Sequence, residues 1–317
     1  MIIFVTGSAG FIGFHLSKTL LERGDIVIGL DNFNDYYEVS LKEDRNSILE
    51  KFENYHSYRG DLNDLELLDK IFTTHKIDKI CHLAGYAGVR HSILHPELYI
   101  SANITGFVSL LEAAKKANVK DVVYASSSSV YGGNTKTPFA ESDSVDHPVS
   151  LYAASKKADE VIAYTYHHLF GFNCTGLRFF TVYGPYGRPD MAPMLFASGI
   201  SKGETIAVFN FGKMKRDFTY VSDIVAGILV ALEKSYPYEI FNLGNDNPTE
   251  LEDFIATIED ALKMKAKKEY APMPAGDVPV TWADLTHAKA GLSYAPQVDL
   301  KEGIGKFIEW YKEYYKV

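Results

Sequence analysis

Short apolar runs alternate with longer amphipathic stretches through the first 180 residues, and this alternation restricts the possible folds more than any other feature of the sequence. The apolar runs are Ile2–Thr6, Ile26–Asp31, Tyr55–Arg59, Lys79–Ala84, Asp121–Ser126 and Asn173–Phe179. The stretches between them include Ile12–Arg23, Leu65–His75, Thr105–Ala117 and Ala153–Phe170. The runs have the length of buried strands, and the stretches have helical spacing. This alternation predicts an α/β fold with a doubly wound, Rossmann-type parallel sheet and helices on both faces.

The first strand leads into a glycine-rich turn, TGSAGFIG, at Thr6–Gly13. Glycines let the backbone turn tightly and approach a pyrophosphate closely. The helix that follows offers unpaired N–H groups and the positive end of its dipole. The spacing is GxxGxxG rather than the GxGxxG of the general dinucleotide fingerprint. The residues that we assign to this phosphate site are Gly7, Gly10, Phe11, Ile12 and Gly13.

The second strand ends in a carboxylate, Asp31, followed by Asn32. A carboxylate at this position can accept hydrogen bonds from both ribose hydroxyls of an adenosine, and it would repel a 2′-phosphate. The predicted cofactor is therefore NAD rather than NADP. Asp61 and Leu62 follow the third strand, and we expect them near the adenine or, alternatively, in a turn.

The pattern changes after Phe180, where Thr181–Asp217 is rich in Gly, Pro, Tyr and Arg and only weakly periodic. The elements predicted beyond it are the helices Val221–Leu232, Glu250–Leu262 and Leu300–Tyr315 and the strand Tyr238–Leu243. We expect an NAD-binding domain at residues 1–180, to which 217–245 returns. A smaller substrate-binding lobe would comprise 181–216 and 246–317. Ligands of such sheets bind beyond the carboxyl ends of the strands.

Tyr152 and Lys156, in the segment YAASK, are the predicted catalytic pair. Residues four apart lie on one face of a helix, one turn from each other. An ammonium group at that distance stabilises a phenolate, which makes a tyrosine usable as a general acid and base. A run of four serines, Ser126–Ser129, ends the fifth strand, and its hydroxyls can share the substrate proton. Ser127 is the predicted catalytic hydroxyl.

The chain resembles the extended short-chain dehydrogenase/reductase family over essentially its whole length. The matching motifs are TGSAGFIG, HLAG at His82–Gly85, SSSSVYG, YAASK, RFFTVYGP at Arg178–Pro185 and RDFTYVSD at Arg216–Asp223. The resemblance implies NAD in the N-terminal domain, a nucleotide sugar in the C-terminal lobe and Ser127 as the catalytic hydroxyl. It implies further NAD contacts from Leu83, Ala84, Gly85, Asn103, Ser126, Tyr152 and Lys156.

The same resemblance bears on the reaction. In the family, a tyrosinate takes the proton of the sugar 4-hydroxyl while hydride passes to NAD. Dehydratases of the family then use a carboxylate pair just before the VYG motif, and decarboxylases an acidic residue two before its Tyr, where this chain has Ser128 and Ser129. An epimerase needs no such carboxylate, because its ketone intermediate rotates and takes the hydride back on the other face. We therefore expect a nucleotide-sugar 4-epimerase.

Two segments bear on the substrate, residues 86–92 and 181–192, and both resemble UDP-glucuronate 4-epimerases. By that resemblance Thr181 and Arg188 would hold the sugar carboxylate, for which a guanidinium fork is suited. Arg216 would meet the diphosphate and Asp277 the uridine ribose. The other predicted substrate contacts are Ala87, Gly88, Arg90, Ser127, Ser128, Val208 and Phe209. The alternatives are a UDP-glucose or UDP-N-acetylglucosamine 4-epimerase, a UDP-glucuronate decarboxylase, and a catalytically silent NAD-binding protein.

Composition limits the remaining function classes. The net charge of −9 argues against an electrostatic nucleic-acid binder. No apolar run has the length of a membrane span, and no leader pattern precedes the first strand, so we expect a cytoplasmic protein without a membrane partner. The ten histidines show no metal-binding spacing, and no metal site is predicted. The family resemblance implies a homodimer formed through the helices near Thr105–Ala117 and Ala153–Phe170.

Overall fold

The computed structural model describes residues 1–317. Its α-helices are α1 (Phe11–Glu22), α2 (Val39–Leu49), α3 (Leu65–Thr74), α4 (Val89–Leu94), α5 (Pro96–Tyr99), α6 (Gly106–Lys116), α7 (Leu151–Phe170), α8 (Ala192–Ser201), α9 (Val221–Glu233), α10 (Leu251–Leu262), α11 (Thr286–Leu292) and α12 (Leu300–Tyr315). Its strands are β1 (Ile2–Thr6), β2 (Ile26–Asp31), β3 (Tyr55–Arg59), β4 (Lys79–His82), β5 (Asp121–Ser127), β6 (Asn173–Phe179), β7 (Thr181–Tyr183), β8 (Thr205–Phe209), β9 (Lys215–Arg216), β10 (Phe218–Tyr220), β11 (Tyr238–Leu243), β12 (Thr249–Glu250) and β13 (Lys267–Ala271).

Seven parallel strands form the central sheet in the order β11-β6-β5-β4-β1-β2-β3. The side chains of Ile3, Phe4 and Val5 in β1 are fully buried, because successive residues of a strand point to opposite faces and helices cover both. This explains why β1 is a continuous apolar run. The chain leaves β1 towards β2 on one side and later returns as β4 on the other. The strand order therefore reverses between β1 and β4, which is where such sheets bind ligands.

The chain divides into two compact units, which we describe separately. Unit 1 comprises Met1–Gly133, Ser142–Arg178 and Val225–Phe241 and contains most of the central sheet. Unit 2 comprises Asn134–Glu141, Phe179–Ile224 and Asn242–Val317. Within unit 2, β8 pairs with β13 and β7 with β10 in parallel, whereas β9 and β12 are antiparallel.

The predicted fold class is confirmed, and all seven strands of the sheet were predicted from the sequence. β4 ends at His82 rather than at Ala84, and β5 extends one residue further, to Ser127. Helix α2 was not predicted, because polar residues occupy much of its buried face, including Lys42 and Arg45. Helix α8 and strand β8 lie in the region that we interpreted as weakly periodic.

None of the helices combines the length and the apolar character that crossing a membrane would require. His, Cys, Asp and Glu side chains form no group of three or more that could hold a metal ion. Both cysteines, Cys81 and Cys174, are buried and free.

Candidate active site

The glycine-rich turn has a backbone that only glycine permits. Gly7 has φ of 73°, and a Cβ there would lie 2.7 Å from the Ala84 nitrogen. A Cβ on Gly13 would lie 2.0 Å from the Gly7 carbonyl oxygen, so α1 starts directly against the turn. Gly10 is the N-cap of α1 and has no side chain that could cap the helix. The first N–H groups of α1 are therefore available to an anion. The turn thus forms a cradle that fits a pyrophosphate.

Asp31 lies at the carboxyl end of β2, beside this turn. Its Oδ2 accepts a hydrogen bond from the Ala9 N–H at 3.1 Å and its Oδ1 one from the Phe33 N–H at 2.9 Å. Burial raises the pKa of the Asp31 carboxyl, and the charges of Lys42 and Arg45 oppose that rise. Each carboxylate oxygen retains a second lone pair for a ribose hydroxyl. The geometry is therefore compatible with the predicted role.

Arg45 is a part of this region that the sequence did not suggest. Its side chain is fully buried, and Nη1 donates hydrogen bonds to the Ala9 carbonyl and to the Tyr37 hydroxyl, at 3.0 and 2.7 Å. It ties α2 to the glycine-rich turn. Arginine is seldom buried, and in a polar helix such as α2 it gives no signal by which sequence reasoning would find it.

The residues that we predicted near the adenine lie together at the edge of the sheet. Asn32 donates from Nδ2 to the Asp61 Oδ2 at 2.8 Å, and both residues lie near the surface. Leu62 is buried, and a Cβ on Gly106 would lie 3.1 Å from its Cβ. The structure therefore brings Asn32 and Asp61 into contact and places Leu62 in the packing beneath them.

Asn103 holds the segment after β4 against the catalytic helix. It is fully buried in a π-helical turn, Ile100–Thr105, a geometry that often marks functional sites. Its Oδ1 accepts from the Tyr86 N–H at 2.8 Å, and its Nδ2 donates to the Tyr86 carbonyl and to the Ser155 Oγ. Gly85 has φ of 155°, and a Cβ there would lie 2.8 Å from Asn103 Oδ1. Asn103 therefore positions Gly85 and Tyr86 beside α7.

Thr6 and His82 face each other at the switch point of the sheet. They are opposite residues of β1 and β4, and the Thr6 Oγ1 lies 2.8 Å from His82 Nδ1. The N–H of Ala84 donates to the same threonine oxygen at 3.3 Å, and that of Leu83 to the Thr6 carbonyl at 3.1 Å. Burial, together with the charge of Lys156, lowers the pKa of His82 to about 3. His82 is therefore a neutral imidazole that shapes the strand ends.

Helix α7 carries Tyr152 and Lys156 and packs against β5 and the 3-10 turn Ser128–Tyr131. Ser150 caps the helix by accepting the Ala153 N–H, so Tyr152 lies in the first turn. The Tyr152 side chain is half-buried, and its ring meets that of Tyr99 edge-on at 6.1 Å. Ser127 ends β5, is buried and accepts the Ser129 N–H through Oγ at 3.1 Å.

Helix α7 also contributes to a buried ionic cluster that the sequence did not suggest. Arg178 of β6 donates through two nitrogens to the carboxylate of Glu160 on α7, at 2.8 and 3.0 Å. Ser126 donates to the same carboxylate at 2.7 Å. Lys156 pairs with Asp159 at 3.1 Å. Ser126 is thus turned towards the helix, where it links the end of β5 to α7.

Two tyrosine hydroxyls bind backbone carbonyls in the segment Ala87–Arg90. Tyr36 donates to the Ala87 carbonyl at 3.0 Å, and the buried Tyr99 donates to the Gly88 carbonyl at 2.9 Å. Gly88 has φ of 151°, a conformation open only to glycine. Arg90, the first-turn residue of α4, is exposed. Ser128 is half-buried at the start of the 3-10 turn.

In unit 2, the two predicted substrate arginines are each paired with a carboxylate. Arg188 donates in a bidentate arrangement to Asp190, two residues away, at 3.1 and 2.6 Å. Arg216 donates to Asp277, 61 residues away, at 2.7 Å and also to the Pro279 carbonyl. The two residues that we assigned to the diphosphate and to the ribose therefore lie in contact.

The remaining predicted substrate residues of unit 2 are on strands. Thr181 starts β7 opposite Phe218 and is half-buried. Val208 is fully buried on β8, whereas Phe209, the last residue of that strand, is half-buried. Of these two, only Phe209 offers part of its side chain to a base.

Asp217 organises the segments that carry these residues, and the sequence did not single it out. Its carboxylate is fully buried and accepts backbone N–H groups of Asn245, Asp246 and Ala283 at 2.6, 3.1 and 2.9 Å. It thus joins the segment beside Arg216 to two loops distant in the chain. Burial raises the pKa of this carboxyl to about 6, an effect that the three N–H donors oppose.

The family model for the NAD-dependent epimerase/dehydratase family matches residues 3–244. The chain belongs to this family. The glycine cradle, Asp31 and the Tyr152–Lys156 pair remain the predicted cofactor and catalytic elements. The residues present fit NAD, because no side chain caps the N-terminus of α1 and the carboxylate of Asp31 lies beside the same turn.

Members of the family with known activities resemble the chain along almost its full length. UDP-glucuronate 4-epimerase 4 of Arabidopsis thaliana is 50% identical over 331 residues, covering 99% of this chain and 76% of the relative. The crystal structure of UDP-glucuronic acid 4-epimerase from Bacillus cereus, in complex with UDP-glucuronic acid and NAD, is 34% identical with a TM-score of 0.94, covering 99% and 100% of the two chains. The UDP-glucose 4-epimerase of Thermotoga maritima with UDP-glucose is 32% identical with a TM-score of 0.91, again covering 99% and 100%.

Proposed function

We propose that the protein is a UDP-glucuronate 4-epimerase that interconverts UDP-glucuronate and UDP-galacturonate with NAD as its cofactor. The observation that carries this proposal is the 50% identity to a plant UDP-glucuronate 4-epimerase across 99% of the chain. The site geometry agrees with it. Tyr152, Lys156 and Ser127 lie on packed elements of one unit, beside a cradle that fits a dinucleotide.

The protein's own residues perform the proton transfers. Tyr152, as a phenolate, takes the proton of the sugar 4-hydroxyl, and its phenol later returns that proton. Ser127 hydrogen-bonds the same hydroxyl, and the ammonium of Lys156 stabilises the phenolate. When bound, NAD supplies the reversible hydride chemistry at the fourth carbon of the sugar. Ser128 and Ser129 offer no carboxylate for a second proton transfer, which favours epimerisation over dehydration or decarboxylation.

Recognition of the acidic sugar is assigned to Arg188 and Thr181. A guanidinium fork matches a carboxylate in a bidentate manner, and Arg188 already binds the Asp190 carboxylate in that manner. The 4-keto intermediate of a uronic acid is a β-keto acid, which loses carbon dioxide readily. Charge pairing with Arg188 holds the carboxylate away from the orbital alignment that decarboxylation needs.

The nucleotide part of the substrate is assigned to Arg216, Asp277 and Phe209. Arg216 is a suitable diphosphate ligand because its side chain is only partly exposed, at 16%, and its Asp277 contact aligns the guanidinium. Asp277 has a second carboxylate oxygen with which it can accept a ribose hydroxyl. Phe209 offers a half-buried ring beside the uracil.

The protein is also proposed to be a homodimer that associates through α6 and α7. Helix α7 exposes apolar side chains along one side, at Val161, Tyr164 and Leu169, which are 54%, 53% and 61% exposed. Contiguous exposed apolar surface of this kind marks interaction sites. A second copy of the chain would cover it.

The direct test incubates the purified protein and NAD with UDP-glucuronate and identifies the products by ¹H NMR. We expect a mixture of UDP-glucuronate and UDP-galacturonate and no UDP-pentose. Parallel reactions with UDP-glucose and UDP-N-acetylglucosamine measure the preference for the acidic sugar. Turnover of only the neutral sugars, or release of carbon dioxide, would refute the assignment.

A further inference from the structure

The ammonium of Lys156 lies in a buried ion pair within unit 1. Its Nζ is 3.1 Å from Oδ2 of Asp159, one turn further along α7. The side chains are only 6% and 1% exposed. A charge pair removed from water to this extent interacts much more strongly than one at the surface, because little solvent screens it.

Asp159 has no other polar partner to explain its presence. Its second oxygen, Oδ1, is buried and accepts no hydrogen bond from the protein. The neighbouring Glu160 differs in this respect, because its two oxygens are bound by Arg178 and Ser126. Buried carboxylates normally have all their oxygens satisfied. We therefore interpret Asp159 as a partner of the Lys156 ammonium rather than as a residue that stabilises the core.

This carboxylate opposes the action for which Lys156 is needed. A positive charge near Tyr152 favours its phenolate, and a negative charge 3.1 Å from the same ammonium cancels part of that field. The hydrogen bond also restricts where Nζ can lie. The charge of Asp159 thus opposes the positive field of the Lys156 ammonium.

We propose that Asp159 is a positioning residue that holds the Lys156 ammonium and limits the positive field that it exerts on Tyr152. The inference rests on the proposed function, because it assumes that Tyr152 is the base of the epimerase. It goes beyond that function by assigning a third ionisable group to the catalytic charge balance.

The surroundings of Asp159 make its charge responsive to pH. Burial raises the pKa of its carboxyl to about 6, Lys156 opposes the rise, and the charge of Glu160 adds to it. The groups that face it from other elements are Tyr124 on β5 and, through Lys156 and Glu160, His82 on β4 and Arg178 on β6. Below about pH 6, a neutral Asp159 leaves the ammonium uncompensated.

The test compares wild type with Asp159→Asn and, in case that variant folds poorly, with Asp159→Ala. The readout is ¹³C NMR of tyrosine labelled at Cζ, in the presence of NAD, with the Tyr152 resonance among the 21 tyrosines identified by its loss in Tyr152→Phe. We expect both neutral variants to ionise Tyr152 about 0.5 to 1 pH unit below wild type. The acid limb of the kcat/KM profile should move by a similar amount. An unchanged midpoint would overturn the proposal.

Two further variants separate an effect through Lys156 from other effects. In a Lys156→Met background, Asp159→Asn should leave the Tyr152 midpoint unchanged, and a persistent shift would show that Asp159 does not act through the lysine. Glu66→Gln, which removes an exposed carboxylate of α3, is the control for net charge. The NMR titration needs no turnover. Failure of wild type to epimerise UDP-glucuronate would therefore refute the proposed function and leave the Asp159 result intact.

Discussion

At the scale of single residues, three of the cations that we assign to chemistry each have a carboxylate partner. Arg188 binds Asp190, Arg216 binds Asp277 and Lys156 binds Asp159. These pairs fix the orientation of long side chains before any ligand is present. For Arg188 the consequence is competition, since a substrate carboxylate must replace or join Asp190 on the same guanidinium fork.

Arg188→Ala should therefore lower kcat/KM for UDP-glucuronate by about 100-fold or more, because a charged hydrogen-bonding partner of the sugar is lost. The matched variant Arg188→Lys retains the charge without the fork, and we expect an intermediate loss. Steady-state kinetics on UDP-glucuronate and UDP-glucose measure both. If Arg188→Ala remains within a few-fold of wild type on UDP-glucuronate, the assignment of Arg188 is wrong.

His82 predicts a pH dependence of stability. Its folded pKa of about 3 is below the ordinary value of 6.5, so the unfolded chain binds the extra proton as pH falls, and stability is lost below about pH 6.5. Between pH 7.5 and 5.0, the free energy of unfolding of wild type should fall by about 2 kcal/mol more than that of His82→Asn. Urea unfolding at both pH values measures the difference. His168→Asn, at an exposed histidine, is the control, and parallel pH dependences in wild type and His82→Asn would contradict the prediction.

At the scale of elements, the cofactor cradle is a property of how α1 meets β1 and β4. The turn, the helix and the segment after β4 approach so closely that a methyl group cannot be placed between them at Gly7 or Gly13. The helix dipole and the free N–H groups then point at the space that remains. Backbone geometry rather than a charged side chain therefore forms the predicted phosphate site.

Gly13→Ala should consequently raise the Kd for NAD by about tenfold or more, because its Cβ would lie 2.0 Å from a backbone oxygen that cannot move aside. Gly305→Ala in α12 is the matched control, since no atom lies within 4 Å of its added Cβ. We expect that control to be neutral or stabilising by about 0.5–1 kcal/mol. Titration calorimetry with NAD measures the affinity, and unchanged binding by Gly13→Ala would exclude the turn as the pyrophosphate site.

At the scale of the whole molecule, an acidic chain that binds anionic ligands has to attract them through local groups. The net charge of −9 would repel a UDP-sugar, so the proposed function requires local attraction, for which we propose the glycine cradle in unit 1 and Arg188 and Arg216 in unit 2. The predicted cofactor residues belong to unit 1, whereas the predicted substrate residues Arg188, Arg216 and Asp277 belong to unit 2. The proposed dimer surface lies on unit 1, on the same helix that carries Tyr152.

Association through α7 predicts that Leu169→Glu dissociates the dimer, because a charge would be buried in an apolar contact. The measurement is sedimentation velocity at micromolar concentration, with circular dichroism to verify folding. Leu195→Glu, at an equally exposed leucine of α8, should leave the dimer intact. A monomeric wild type, or a Leu169→Glu protein that remains dimeric, would contradict the proposed interface.

Much of the fold and part of the site follow from local patterns in the sequence. The seven strands, the glycine-rich turn and the Tyr152–Lys156 spacing each depend on a few neighbouring residues, and these predictions need no knowledge of distant contacts. Helix α2 was not predicted, because Arg45 is buried in it and arginine is usually found at the surface. The assignments of individual substrate residues remain predictions.

The sequence by itself determined the sheet, the cofactor turn and the catalytic helix, because hydrophobic periodicity and glycine geometry act over one or two turns of chain. Only the tertiary structure decided which charges meet, such as Arg216 with Asp277 across 61 residues, and how deeply Asp159 is buried beside Lys156. The physical reason is that the energy of a charge pair depends on its exclusion from water. That exclusion is produced by elements far apart in the chain, and no short segment encodes it.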